Sequence, residues 1–151
     1  PETGELLPLT EVLLFTAARA ELIARVIGPA LQRGEDVVAE RCYVSTLAYQ
    51  CLAHRSGVEF DFVVDLTRRA HGPYLPDAVF VLDVDVATSL QRRSARDKDR
   101  FEARDDDFHE RVREGYLHVA AQDPTVIVID ARGSFELVQK ELQQKALRWL
   151  R

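Results

Sequence analysis

Three runs of this chain are apolar from end to end instead of alternating: Asp36-Val37-Val38-Ala39, Ala78-Val79-Phe80-Val81-Leu82-Asp83-Val84 and Thr125-Val126-Ile127-Val128-Ile129-Asp130. A strand with one wet face must alternate polar and apolar residues, so a run that does not alternate belongs to a strand covered on both faces. Long stretches of helical spacing separate the runs, long enough to cross over a sheet between parallel strands. The expectation is an α/β fold: a three-layer sandwich with a parallel sheet between helices. At 151 residues the chain is read as one domain spanning residues 1–151.

The helices follow from apolar spacing. Residues 10–33 carry Val12, Leu13, Phe15, Ala18, Leu22, Ile23, Val26, Ile27 and Leu31, with Thr10 as the expected N-cap, Glu11 in the first turn and Gly34 as the stop. Pro29 is expected to disturb the last turns. Further helices are expected over residues 43–54, 59–70, 85–96 and 105–122, and a last one from its cap Ser134 to residue 150.

Composition removes several classes of function. Lys+Arg is 20 against 25 for Asp+Glu, a net charge of −5, which argues against a general nucleic-acid coat. No apolar run approaches the roughly 18–20 residues of a membrane span. Cys42 and Cys51 are expected as reduced thiols of a cytoplasmic protein. The four histidines show no zinc spacing, no G-x-S-x-G elbow is present, and no metal site is expected among these residues. No G-x-x-x-x-G-K-[ST] occurs either, so the usual backbone cradle and lysine for the phosphates of ATP are not in this sequence.

In an open parallel sheet, ligands bind outside the carboxyl ends of the strands. Three such ends are expected: Glu40-Arg41, Asp83-Val84-Asp85 and Asp130-Ala131-Arg132. The first delivers a carboxylate suited to proton or metal work beside a guanidinium fork for phosphate, or else a plain ion pair. Arg92, Arg93, Arg96 and Arg100 form a second element, three of them at successive i+4 steps. Such a stripe can close on a polyphosphate, or lie as a solvated face. Phe15 and Arg19 share a helix face, where a ring beside a guanidinium can stack a base and bond its carbonyl edge, or pack as core and rim.

Taken in order, these elements resemble the thymidylate kinase family of nucleoside-monophosphate kinases. Glu11-Val-Leu-Leu-Phe-Thr-Ala-Ala-Arg19 is similar to its E-x-L-L-F-x-A-x-R helix, and Ile27-Gly28-Pro29-Ala30-Leu31 with Gly34 to I-x-P-A-L-x-x-G. The stretch from Glu40-Arg41 to Ala48-Tyr49-Gln50 resembles D-R-[YF]-x-x-S-x-x-A-Y-Q. Pro76-Asp77 with Leu82-Asp83-Val84 resembles P-D-x-x-x-x-L-D-V. Arg92, Arg96 and Asp99-Arg100-Phe101-Glu102 resemble the family's arginine lid, and Phe108 with Arg111 to Tyr116 its substrate-site helix.

The resemblance implies the P-loop kinase fold, with the first strand and the P-loop lying outside the given sequence, and a mobile lid at about residues 92–104. It implies transfer of the ATP γ-phosphoryl group to dTMP, with Mg²⁺ accompanying ATP, and a possible homodimer. By the same resemblance Arg41 would hold the dTMP phosphate, Phe15 would stack on thymine and Arg19 would bond its carbonyl. Ser45, Thr46, Tyr49, Gln50 and Tyr116 would line the nucleoside pocket, with Tyr49 against the sugar carbon that lacks a hydroxyl. Arg92 would lie against adenine, and Arg93, Arg96 and Arg100 would reach phosphates. Glu40, Arg41 and Arg96 are thus the expected catalytic group. Glu40 stands where the family has Asp, as in deoxynucleoside kinases, whose Glu is a base for a sugar hydroxyl. A non-catalytic nucleotide-binding protein is the further alternative. Without a P-loop these residues by themselves are expected not to phosphorylate dTMP, and to leave unpaired sheet edges.

Overall fold

The computed structural model describes residues 6–55, 57–92 and 105–150, apart from the side chain of Leu90. The first helix, α1 (Pro8–Leu22), starts earlier than expected. Leu7, not Thr10, is the N-cap, and Pro8 supplies a pre-set φ in the first turn, where its missing N–H costs nothing. The helix runs on through a π-helical turn, Ile23–Ile27, into α2 (Gly28–Gln32). That widened turn is the physical answer to Pro29, whose ring would otherwise meet the carbonyl of Arg25 and which has no N–H to give. Gly34 ends the run as expected: at φ 81° it lets its own N–H reach Leu31 O and lets Glu35 N–H reach Ala30 O.

The next helical run is α3 (Tyr43–Thr46), continued by a π-helical stretch, Leu47–Ala53. Then come α4 (Phe60–His71), β1 (Val79–Asp83), α5 (Val86–Arg92), α6 (Asp106–Gln122), β2 (Val126–Asp130) and α7 (Phe135–Ala146). Asp105 caps α6 by accepting from Phe108 N at 2.7 Å, and Ser134 caps α7 by accepting from Leu137 N at 3.4 Å.

β1 and β2 pair in parallel, in register from Val79↔Val126 to Asp83↔Asp130. Among the described residues the sheet has these two strands, so the third expected strand, residues 36–39, is not one. Val38 is 91% exposed. A strand is defined by a partner's ladder, and among the described residues only β1 and β2 share one, so β-branched composition alone does not make this segment a strand.

The core forms where α1, α3 with its π stretch, α4 and α6 meet the sheet, around Val12, Val44, Leu47, Val63, Val81, Val119 and Val126. A second cluster of Ala53, Phe108 and Val112 sits beside it, with Tyr49 and Tyr116 packed on both sides of the seam. α6 approaches the π stretch very closely at Gly115, where a Cβ would stand 3.1 Å from Ala48 Cα. Both cysteines are free, and no helix among the described residues is long and apolar enough to cross a membrane.

Candidate functional site

The turn that precedes α3 carries Glu40 and Arg41. Arg41 is exposed and adopts φ 70°, a left-handed conformation that non-glycine residues seldom take and that clusters at functional positions. Its guanidinium lies over the ring of Tyr49, 5.1 Å from the centroid. Tyr49 in turn meets Tyr116 edge-on, with centroids 6.2 Å apart, and Tyr116 and Ser45 share a 2.7 Å hydrogen bond between hydroxyls. Burial opposes the Arg41 charge, but Tyr49 and Tyr116 outweigh it and hold the guanidinium above its ordinary range. Burial also pushes the Tyr116 phenol up, against the pull of Ser45 and Arg41. Arg41, Ser45, Tyr49 and Tyr116 are therefore one connected group at the mouth of the α3–α6 seam. Glu40 sits exposed beside it.

The helix α1 brings a second group to the same element. Arg19 Nη1 donates to Thr46 Oγ1 and Nη2 to the Cys42 carbonyl, both at 3.1 Å. Burial, more than the opposing influence of Cys42, lowers the Arg19 pKa. Gln50 Nε2 donates to Glu11 Oε2 at 3.1 Å in the buried interface. Phe15, one turn before Arg19, keeps 40% of its surface exposed. Thr46 and Gln50 are buried in the α1 contact instead of standing free on a surface.

A hollow of about 140 Å³ opens at the carboxyl end of β1, lined by Tyr49, Tyr116, Val81, Asp83 and Arg113 among others. A larger one, about 460 Å³, lies between α4 and α6 near Pro124 and Thr125. That is the amino end of β2, the wrong end of a parallel sheet for a ligand.

The carboxylates at the other strand ends are engaged in structure. Asp83 takes a two-pronged bond from Arg113 at 2.7 and 3.0 Å, and this bond above all drives the Arg113 pKa further up. Asp85 accepts from Thr88 N and Oγ1, chiefly the backbone N–H, and is lowered accordingly. Asp130 is held well below the usual carboxylate range by Arg132. Among the described residues no three His, Cys, Asp or Glu side chains are placed to hold a metal. These residues do not by themselves fit a resident Mg²⁺.

Arg92, at the end of α5, turns onto the loop after β2. Its Nη1 donates to Ala131 O at 2.6 Å, and its Nη2 to the carbonyls of Arg132 and Gly133 at 2.8 and 3.2 Å. Guanidinium N–H donors point outward in the plane of the group, so these bonds do not themselves use its flat faces. Arg93, Arg96 and Arg100, and with them most of the expected lid, lie outside the described residues. Glu11, expected only in the first turn of its helix and in a motif, and Arg113 are engaged residues beyond the expected site set. Glu11 stands on a core-facing helix position where an ionisable residue is out of pattern, and that was the available signal.

A profile of the family described as thymidylate kinase matches residues 2–142. The chain is 40% identical over 137 residues to a thymidylate kinase of Symbiobacterium thermophilum, covering 90% of this chain and 63% of that protein. It is 41% identical over 149 residues to one of Pelotomaculum thermopropionicum, covering 97% and 68%. A thymidylate kinase of Vibrio parahaemolyticus is 37% identical over 150 residues, covering 99% and 70%. The chain thus spans roughly two thirds of the length of these relatives, from 63% to 70%.

Proposed function

Since the chain belongs to the thymidylate kinase family, we propose that the protein transfers the γ-phosphoryl group of ATP to dTMP, giving dTDP, in the cytoplasm. The observation that carries this reading is Arg41, held in a left-handed turn above Tyr49 beside the Ser45–Tyr116 pair. An exposed fork on a rigid aromatic base is a receptor for a phosphate monoester. Phe15 would stack on the base, Arg19 would bond its carbonyl, and Thr46 and Gln50 would complete the base edge. Tyr49, edge-on to Tyr116, would fill the space that a 2′-hydroxyl needs.

Phosphoryl transfer asks little covalent chemistry of a protein and much positioning. Arg41 would fix the acceptor phosphate, whose attacking oxygen is already ionised, so Glu40 need not act as a base. Arg92 would offer its face to adenine while the carbonyls of residues 131–133 hold its plane. Arg93, Arg96 and Arg100 would bring charge to the transferring group from a lid at about residues 92–104. Mg²⁺ would enter with the nucleotide, on the phosphates. The architecture proposed is the three-layer parallel sheet of P-loop kinases, completed by a strand and a phosphate-binding loop not among these 151 residues. A homodimer is proposed through α1, whose Leu9, Leu13 and Leu14 are exposed.

The test is a coupled assay with dTMP, thymidine and no acceptor, run on the 151-residue chain and on a version carrying a P-loop segment from a relative. Turnover of dTMP is expected only with the P-loop supplied. Arg41→Ala should raise the dTMP requirement at least about tenfold through loss of a charge-assisted fork. Preference for thymidine over dTMP, or an unchanged dTMP requirement in Arg41→Ala, refutes the assignment.

A further inference from the structure

Glu11 is 2% exposed in the first turn of α1, facing the π stretch. Its Oε2 accepts from Gln50 Nε2 at 3.1 Å and lies 3.8 Å from His54 Nε2. Gln50 is 3% exposed, and the Phe108 ring closes over His54 with centroids 5.2 Å apart. A buried carboxylate is costly unless its neighbours compensate it, so a purely apolar contact would serve packing better here.

What the carboxylate supplies is direction. An ionised carboxylate only accepts, whereas an amide has one donating end and one accepting end of nearly equal shape. Facing Glu11, Gln50 has to turn its NH₂ toward α1, and its carbonyl oxygen is held on the opposite side. About one turn before Gln50, Thr46 accepts from the donor-only guanidinium of Arg19, on the same helix as Glu11. The two clasps thus set a donor and an acceptor at fixed places along α3 and the π stretch.

We infer that Glu11 is a positioning residue for base selection: it locks Gln50 so that a carbonyl oxygen meets the pyrimidine ring beside the Arg19 donor. This rests on the reading that Arg19 and Gln50 line the nucleoside pocket. A donor next to an acceptor complements the carbonyl and ring N–H of thymine. Cytosine presents an amino group and a bare ring nitrogen, the reverse order, and is rejected because two like groups then face each other. Without the lock the amide can flip and accommodate either base.

The experiment is calorimetric binding of dTMP and dCMP to the chain, with no turnover required, alongside the side-chain amide NMR signals of Gln50. Wild type is expected to prefer dTMP, and Glu11→Gln should cut the dTMP-to-dCMP affinity ratio at least about tenfold and draw the two Gln50 amide proton signals together. The exchange Glu11→Gln with Gln50→Glu restores one carboxylate facing one amide. It keeps an acceptor toward the base and should retain the preference, and it decides the matter if Glu11→Gln alone fails to fold. A wild-type preference that survives in Glu11→Gln, or is lost in the exchange, overturns the role of Glu11 and leaves the dTMP site standing. No dTMP binding by wild type overturns both.

Discussion

Gly115→Ala probes the close approach on which the tyrosine pair depends. The added Cβ would lie 3.1 Å from Ala48 Cα, 3.2 Å from Ala48 O and 3.4 Å from Ala48 Cβ. Carbon atoms rest at about 3.5–4.0 Å, so α6 would have to withdraw by roughly 0.5 Å. The obstacle is mostly backbone, which cannot rotate aside. Overpacking of this kind costs about 1–3 kcal/mol. Against it, Ala in place of Gly in a helix interior gains about 1 kcal/mol. The net expectation is a loss of about 0–2 kcal/mol, or a fall in Tm of up to about 8 °C for a chain of this size. Tyr116 follows Gly115 and Tyr49 follows Ala48, so the retreat also opens the ring pair now 6.2 Å apart. Urea unfolding, near-UV tyrosine dichroism and dTMP binding together check this. A stability gain near the full helix-propensity value, with unchanged tyrosine dichroism and dTMP affinity, would show that α6 does not rest on Ala48.

Other outcomes follow from the same geometry. His71 is 4% exposed and its Nδ1 bonds Thr67 O at 2.7 Å; burial first, and the Arg19 charge with it, hold its pKa below the ordinary value. The unfolded chain therefore binds the proton more readily, so stability should fall as pH drops from about 6.5, and His71→Gln should flatten that slope; a pH-independent wild type between 7 and 5 refutes it. Phe15→Ala should weaken dTMP binding by about 1–3 kcal/mol. Equal affinity in that variant would remove Phe15 from the base site.

Local chemistry was readable wherever one residue's own geometry decides the outcome. Gly34 ends its helix because only glycine enters φ 81° freely, and Ser134 caps because a short oxygen-bearing side chain reaches the N–H three residues on, whereas Thr10 lost the N-cap to Leu7. Runs such as Val126–Asp130 predicted parallel strands, and these two do pair in parallel. The motif from Arg41 to Gln50 and the face shared by Phe15 and Arg19 were visible in the same way. Residues 36–39 were not, because a strand exists only by virtue of a neighbour's ladder.

The order of residues alone determined the helices, the two paired strands and the family whose motifs the chain carries. Tertiary structure decided which ionisable groups are left for chemistry. It bound Asp83 to Arg113, left Arg41 exposed in a strained turn above Tyr49, and buried Glu11 against Gln50. The reason is that a charge acquires its role from its neighbours in space, and the partners of Asp83 and Glu11 come from segments tens of residues away, which no local pattern encodes.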